Sequence, residues 1–168
     1  MVKQATDFFT IFEILAKHNV EYIIIGGVSA VLQGAPVTTF DLDVVHNRDE
    51  DNLNRLLEAL QELNAYYRTK RDKRIEPNLS RLALPGHHLL LTDAGPLDIL
   101  GTVGEGQDYQ DLLDDIAQIE IEEMTLQLQG LQSVIELKEY LGRDKDKAVI
   151  PILKRTLEEK NKMDDESE

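Results

Sequence analysis

The chain contains no cysteine. A disulfide framework and any thiolate metal site are therefore excluded. The absence fits a reducing compartment, and a cytoplasmic location is expected. A long apolar run is also missing. The longest mainly apolar stretch, Tyr22 to Leu32, holds two glycines. It falls far short of the roughly 20 residues that span a bilayer, so no membrane partner is expected. Behind the early Lys3 comes Asp7 rather than an apolar segment with a cleavage site, and no signal peptide is expected. Positive charge is scarce: 18 Lys and Arg stand against 32 Asp and Glu, a formal net charge of −14. Such a field repels nucleic acid at long range but leaves room for a local basic site. Its plainest consequence is solubility. Part of the acidic excess lies in the tail Asp164, Asp165, Glu166 and Glu168, where fraying is expected.

What is present suits one compact domain. The 168 residues are 42% hydrophobic and 30% charged, enough to bury a core. Phe8, Phe9, Ile11, Phe12 and Leu15 recur at helical spacing, so Thr6 to His18 reads as an amphipathic helix. The run from Glu21 to Ile25 reads as a buried strand. Val28 to Gln33 predicts a short helix closed by Gly34. Thr39 to Val45 predicts a second strand and Asp49 to Leu63 a helix. Tyr66 to Arg81, rich in charge, predicts a strand edge followed by a mobile loop. Leu82 to Leu84, Leu89 to Thr92 and Leu97 to Leu100 are short strand candidates, the last two joined by the turn Asp93-Ala94-Gly95-Pro96. Gln107 to Asp115 predicts a helix, and Ile116 to Gln129 two strands about Glu122-Glu123. Ser133 with Glu136 has capping-box spacing for a helix that ends at Gly142. A last helix is expected over 146–160, with Pro151 kinking it or moving its start. Residues 1–130 are thus expected to form the core, 131–160 helices packed on it, and 161–168 a disordered acidic tail.

The chemistry gathers on a strand, a double glycine and a second strand bearing two aspartates. In residues this is Ile25-Gly26-Gly27-Val28-Ser29, then Thr39-Phe40-Asp41-Leu42-Asp43-Val44-Val45. Alternation on a strand sends Asp41 and Asp43 to one face and Leu42 and Val44 to the other. Paired carboxylates repel unless a cation lies between them. Magnesium, or manganese, suits them because such ions take carboxylate oxygens and keep positions open for phosphates. Gly26 and Gly27 let the backbone approach a phosphate. Ser29 and Thr39 are candidate hydroxyl contacts to the nucleotide. A lone acid in Leu97-Asp98-Ile99-Leu100 is the expected third carboxylate, and three on adjacent strands can hold two ions about 4 Å apart. Asp93 competes for that role but reads better as turn chemistry.

Residues 23–45 and 96–101 resemble the signature of the nucleotidyltransferase superfamily, with the DNA polymerase beta type of fold. Its pattern is a hydrophobic residue, Gly, Gly or Ser, a spacer, then Asp, hydrophobic, Asp or Glu, hydrophobic. The late stretch Leu137-Lys138-Glu139-Tyr140-Leu141-Gly142-Arg143-Asp144-Lys145-Asp146 resembles the toxin-type, AbiEii-like branch, where a helical Lys precedes Gly-Arg-x-Lys-Asp. The resemblance implies an α/β (α+β) nucleotidyltransferase fold: a small mixed central sheet flanked by helices, with C-terminal helices. It implies a metal-dependent enzyme that moves NMP from NTP to a hydroxyl of an RNA end, a protein or a small molecule, with Asp41, Asp43 and Asp98 as the metal-binding and catalytic acids. It also implies that a cognate antitoxin exists. Val37 stands where relatives in that branch often carry a basic residue. The same fold without activity would be a nucleotide-binding or protein-interaction module.

Other candidates have two readings each. Lys138 is either a solvated helix residue or a phosphate contact. Arg71, Lys73 and Arg74, with Arg68, Lys70 and Arg81, form either a solvated loop or a clamp on triphosphate or a polynucleotide acceptor. Tyr66 and Tyr67 read as strand packing or as base platforms. His87 and His88 are adjacent on a strand, face opposite ways and so cannot readily share an ion.

Overall fold

The computed structural model describes residues 6–39, 41–69 and 73–166. In chain order the elements are α1 (Phe8–Lys17), β1 (Tyr22–Ile25), α2 (Gly26–Leu32), β2 (Leu42–His46), α3 (Glu50–Glu62) and β3 (Tyr66–Tyr67). There follow α4 (Leu79–Leu82), β4 (His87–Thr92), β5 (Gly95–Leu100), α5 (Tyr109–Leu112), β6 (Ile116–Ile121), β7 (Met124–Gln129), α6 (Leu131–Leu141) and α7 (Asp144–Glu166). The strands form one seven-stranded sheet in the order β3-β4-β5-β2-β1-β7-β6. It is mixed: β2 runs parallel to β5 and β1 to β7, while the other neighbours are antiparallel. The architecture is the expected α/β one.

Strand periodicity divides the core between the two faces of the sheet. On one face Tyr22 and Ile24 of β1, Leu42 and Val44 of β2, and Leu97 and Ile99 of β5 pack against Ile11, Phe12 and Leu15 of α1 and Leu53, Leu56 and Leu60 of α3. On the other face lie Ile23 and Ile25, Val45 and Leu100, covered by Tyr109 and Leu112 of α5. That second cluster is smaller. It covers the C-terminal ends of β2 and β5 and leaves Asp43 and Asp98, earlier in these strands, outside it. A third cluster joins α2 to the last two helices through Ala30, Leu131, Val134, Ile135 and Leu153, with Val37 packed against it.

Local chemistry explains where several elements differ from the sequence expectation. Leu82 ends a helical turn rather than opening a strand: the Asn78 side chain caps that turn by accepting the Arg81 N–H, and Leu82 is fully buried. β2 begins at Leu42, not Thr39, because the register with β1 ends where Asp43 faces Ile25 and the chain then turns through Gly26. The predicted capping box at Ser133 does not form. The helix starts earlier, after Gly130, so that Leu131, Val134 and Ile135 face the core. The Ser133 N–H is instead met by the Asp115 carboxylate at 3.1 Å. Pro151 neither ends nor delays α7, which runs through Glu166.

Asn52 pins the connections around the central strands. It is fully buried. Its amide oxygen accepts the Glu21 N–H at 2.7 Å, and its nitrogen donates to the carbonyls of Glu21 and Asn47 at 3.0 and 2.7 Å. Asn52→Ala is expected to cost about 2–4 kcal/mol, because the Glu21 N–H and the Asn47 carbonyl lose their partners in a dry site. Urea unfolding measures this; a loss below about 0.5 kcal/mol would show that the pin is dispensable.

Candidate active site

Two carboxylates meet where the start of β2 lies beside the middle of β5. The strands are parallel, with Asp43 directly opposite Asp98. Directly opposed residues share a face, so the two acids stand side by side. Burial pushes the Asp43 carboxyl up to about 7, helped by its hydrogen bond with Asp98 and the charges of Asp98 and Asp41, and opposed by Arg68. Burial also raises Asp98, while the Asp43 bond and the Arg68 charge pull it down. The pair therefore shares a proton, with Asp43 the better holder. Asp41 lies one residue before β2 and is exposed. Its charge reaches both acids. Among the described residues, no three acidic or histidine side chains converge closely enough to hold a metal ion as they stand.

The glycine turn arrives at the same end of the sheet. Ile25 is opposite Asp43, and the next residue, Gly26, has φ +64° with a missing Cβ that would lie 3.7 Å from an Asp43 carboxylate oxygen. Left-handed backbone favours glycine here. The Gly26 N–H donates to the Gln129 side chain at 3.1 Å. Gly27 answers a different need: a Cβ there would lie 2.8 Å from Thr39 Oγ1. Glycine thus lets the connection leading to Asp41 pass close over the turn.

Two sources of positive charge border the acids. Arg68, just beyond β3, places a guanidinium nitrogen on the Asp98 carboxylate. Lys138 of α6 and Arg143, before α7, converge on Asp146, at 3.4 Å and 2.6 Å. Asp146 is 1% exposed. Burial alone would raise its pKa, but the Arg143 bond and the two positive charges outweigh it and hold the carboxyl below its usual range. Arg143 is raised mainly by its bond to Asp146, and the charge of Asp43 adds to this, so its guanidinium lies within the field of the paired acids.

A double glycine after a central strand, two in-register aspartates beside it and flanking cations are thus gathered in one place. The family model for aminoglycoside-2''-adenylyltransferase matches residues 7–127, well over half of the chain. The chain belongs to that family. Solved structures of this fold agree. A protein of Thermotoga maritima provisionally assigned as a nucleotidyltransferase superposes with a TM-score of 0.54 at 21% identity, over 90% of this chain and 91% of that one. The lincomycin-bound lincosamide adenylyltransferase LnuA gives 0.60 at 14% identity, over 90% and 98%. ANT(2'')-Ia in complex with adenylyl-2''-tobramycin gives 0.58 at 13% identity, over 89% and 87%. At these identities the likeness concerns the fold. No sequence among curated proteins matches the chain.

The remaining expected site residues of this nucleotidyltransferase take varied places. Ser29 is fully buried and donates to the Gln129 carbonyl at 2.7 Å. It ties α2 to β7 and does not offer its hydroxyl to a phosphate. Thr39 packs on Gly27. Arg74 lies over the Tyr66 ring at 4.5 Å and donates to the Asn64 carbonyl at 3.1 Å, so it is engaged on its own edge. Lys73 is exposed, and Arg71 lies outside the described residues. Asp93 sits in the hairpin turn, bonded to Asn64. His87 is exposed and His88 buried, where its Nδ1 meets the Tyr67 hydroxyl at 2.9 Å. Sequence reasoning overlooked Gln129, a fully buried hub that also bonds Ser133 at 3.0 Å. It also did not single out Arg68.

The shared proton makes a pH prediction. Folded Asp43 titrates near 7, against about 3.9 in an unfolded chain. Folding therefore takes up a proton between these values, and stability falls as pH rises through that window. In EDTA the Tm of the unmodified protein should fall more steeply from pH 4 to 7 than that of Asp43→Asn. Parallel curves would exclude a shared proton.

Proposed function

We propose that this nucleotidyltransferase moves a nucleoside monophosphate, AMP by preference, from NTP to a hydroxyl of a small-molecule acceptor and releases pyrophosphate. The observation that carries the proposal is the in-register Asp43–Asp98 pair beside Gly26. A magnesium or manganese ion fits the donor set: hard carboxylate oxygens, crowded enough to hold a proton in place of a cation. Asp43 and Asp98 would hold it, and Asp41 would join them by a side-chain movement. Bound there, the ion supplies positive charge that steadies the triphosphate and acidifies the attacking hydroxyl.

The chain's own groups account for the rest. Gly26 brings the backbone close to Asp43, and Gly27 lets Thr39 pack over the turn, so that the turn and Thr39 together would face the phosphates. Lys138 and Arg143, aimed by Asp146, face the negative charge that grows on pyrophosphate as its bond to the α-phosphorus breaks. A carboxylate oxygen of Asp98 accepts the proton from the acceptor hydroxyl as the new phosphorus–oxygen bond forms.

A small molecule is favoured over an RNA end because the net charge of −14 opposes a polyanionic acceptor. Proteins of similar fold point the same way: one is a lincomycin-bound lincosamide adenylyltransferase and another is in complex with adenylyl-2''-tobramycin. The toxin-type reading, with its cognate antitoxin, calls instead for an RNA or protein acceptor. A test incubates the protein and Mg2+ with each α-labelled NTP and, separately, aminoglycosides, lincosamides, total RNA and cell protein. Label is expected in a small molecule, with pyrophosphate released. Label in RNA or protein would revise the acceptor, and nucleotide binding without any transfer would indicate a binding module.

Two substitutions refine the assignment. Asp98→Asn should keep most NTP affinity yet lose roughly 10²–10⁴-fold in turnover, as for an acid–base group acting mainly in the transition state. Turnover near that of the unmodified protein would remove Asp98 from the catalytic set. Gly27→Val should weaken NTP binding and, because it collides with Thr39, also cost about 1–3 kcal/mol of stability. Calorimetry and urea unfolding read the two effects separately; unchanged affinity in a folded variant would count against the phosphate turn.

A further inference from the structure

The pairing of Arg68 with Asp98 has no place in a site designed only to receive a cation. Across the sheet Asp43 faces Asp98, Asp98 faces Leu89, and the Leu89 carbonyl accepts the Arg68 N–H at 2.9 Å. These residues form one row on one face. The Arg68 side chain crosses from the edge to the Asp98 carboxylate, where the two side chains are 31% and 16% exposed. Partial burial strengthens such a pair beyond the ordinary surface ion pair. Lys138 and Arg143 are held on Asp146, and Arg74 on Asn64 and the Tyr66 ring, while the exposed His87 adds to the field at Asp98.

We infer that Arg68 is a resident counter-cation of Asp98, which a metal ion must displace and a triphosphate then receives, so that metal and nucleotide bind cooperatively. The inference rests on the reading above that Asp43 and Asp98 take a divalent ion. Metal alone faces two penalties. It breaks the Arg68–Asp98 pair, and it leaves a guanidinium beside a second positive charge. A phosphate bound to an ion on Asp98 lies next to the guanidinium that has just left that carboxylate, and it relieves both. Arg68 thus holds the acids quiet without substrate and becomes a phosphate contact with it.

The test measures Mn2+ binding by the loss of the free-ion paramagnetic resonance signal, with and without a non-hydrolysable α,β-methylene NTP. The proteins are the unmodified chain, Arg68→Gln, Arg68→Lys and Asp43→Asn. Arg68→Gln should bind Mn2+ alone roughly 5–20-fold more tightly than the unmodified chain, an effect of ordinary coupling size. In the unmodified chain the nucleotide should tighten Mn2+ binding by a larger factor than in Arg68→Gln. Arg68→Lys, which keeps the charge but loses the planar fork, should fall between them. Mn2+ affinity that is unchanged or weaker in Arg68→Gln, while Asp43→Asn abolishes binding, would overturn the counter-cation and leave the metal site standing. Mn2+ that fails to bind the unmodified chain with nucleotide, or that survives Asp43→Asn, would overturn both. Far-ultraviolet circular dichroism confirms that each variant is folded, and Arg68→Lys keeps the inference testable should Arg68→Gln not be.

Discussion

Two carboxylates held in register on neighbouring parallel strands repel each other, and much of the site is arranged around that repulsion. The backbone ladder of β2 and β5 fixes Asp43 opposite Asp98, while the apolar residues on the reverse face fix the ladder. Neither acid can move away without breaking a strand or exposing core. The charge must be answered in place. A shared proton answers part of it, Arg68 another part, and the field of Arg143 a third. Each is a weaker substitute for a divalent cation, which is the sense in which the site fits one.

The positive groups are themselves restrained. Asp146 is almost fully buried, and a buried charge is tolerated only when paired. Its two partners come from α6 and from the turn before α7, so the clasp also fixes how the last two helices meet. Those helices pack on α2 through Ala30, Leu131 and Leu153, and Val37 joins that apolar cluster. The connection before Asp41 is thereby used for packing. In the proposed reaction, cationic contacts to a triphosphate would then fall to the C-terminal helices and to the sheet edge.

Much of this was legible in the sequence, for a physical reason. Alternation in Thr39–Val45 reports which way each side chain points, and a lone acid in the apolar run Leu97–Leu100 stands out. Asp43 and Asp98 were read on that ground and Gly26 and Gly27 from their place at a strand end, and the structure brings all four together. Ser29 misled because the chain pattern gives its position on a short helix but not the direction of its hydroxyl, which is set by Gln129 from 100 residues away. Leu82–Leu84 misled because a short apolar run suits a strand or a buried turn equally. Here the Asn78 cap decided for the turn. The basic cluster could not be divided from sequence. Arg68 reaches Asp98 while Arg74 lies on Tyr66, and only the register of the edge strand tells them apart.

The acidity of the chain bears on how these cations work. A protein of net charge −14 opposes the approach of a triphosphate over distances near the Debye length, about 8–10 Å at ordinary ionic strength. Attraction must therefore be local. Yet the cations nearest the two acids are bound to carboxylates: Arg68 to Asp98, and Lys138 and Arg143 to Asp146. An anion of single charge gains little by competing with a carboxylate already in contact. In the proposed exchange, a triphosphate arriving with its own divalent ion would differ, because the ion would take over Asp98 while the phosphates take over Arg68. That exchange would conserve contacts on both sides. Selectivity for the metal–nucleotide complex over free phosphate would then follow from the pairing of charges within the site rather than from an excess of positive charge.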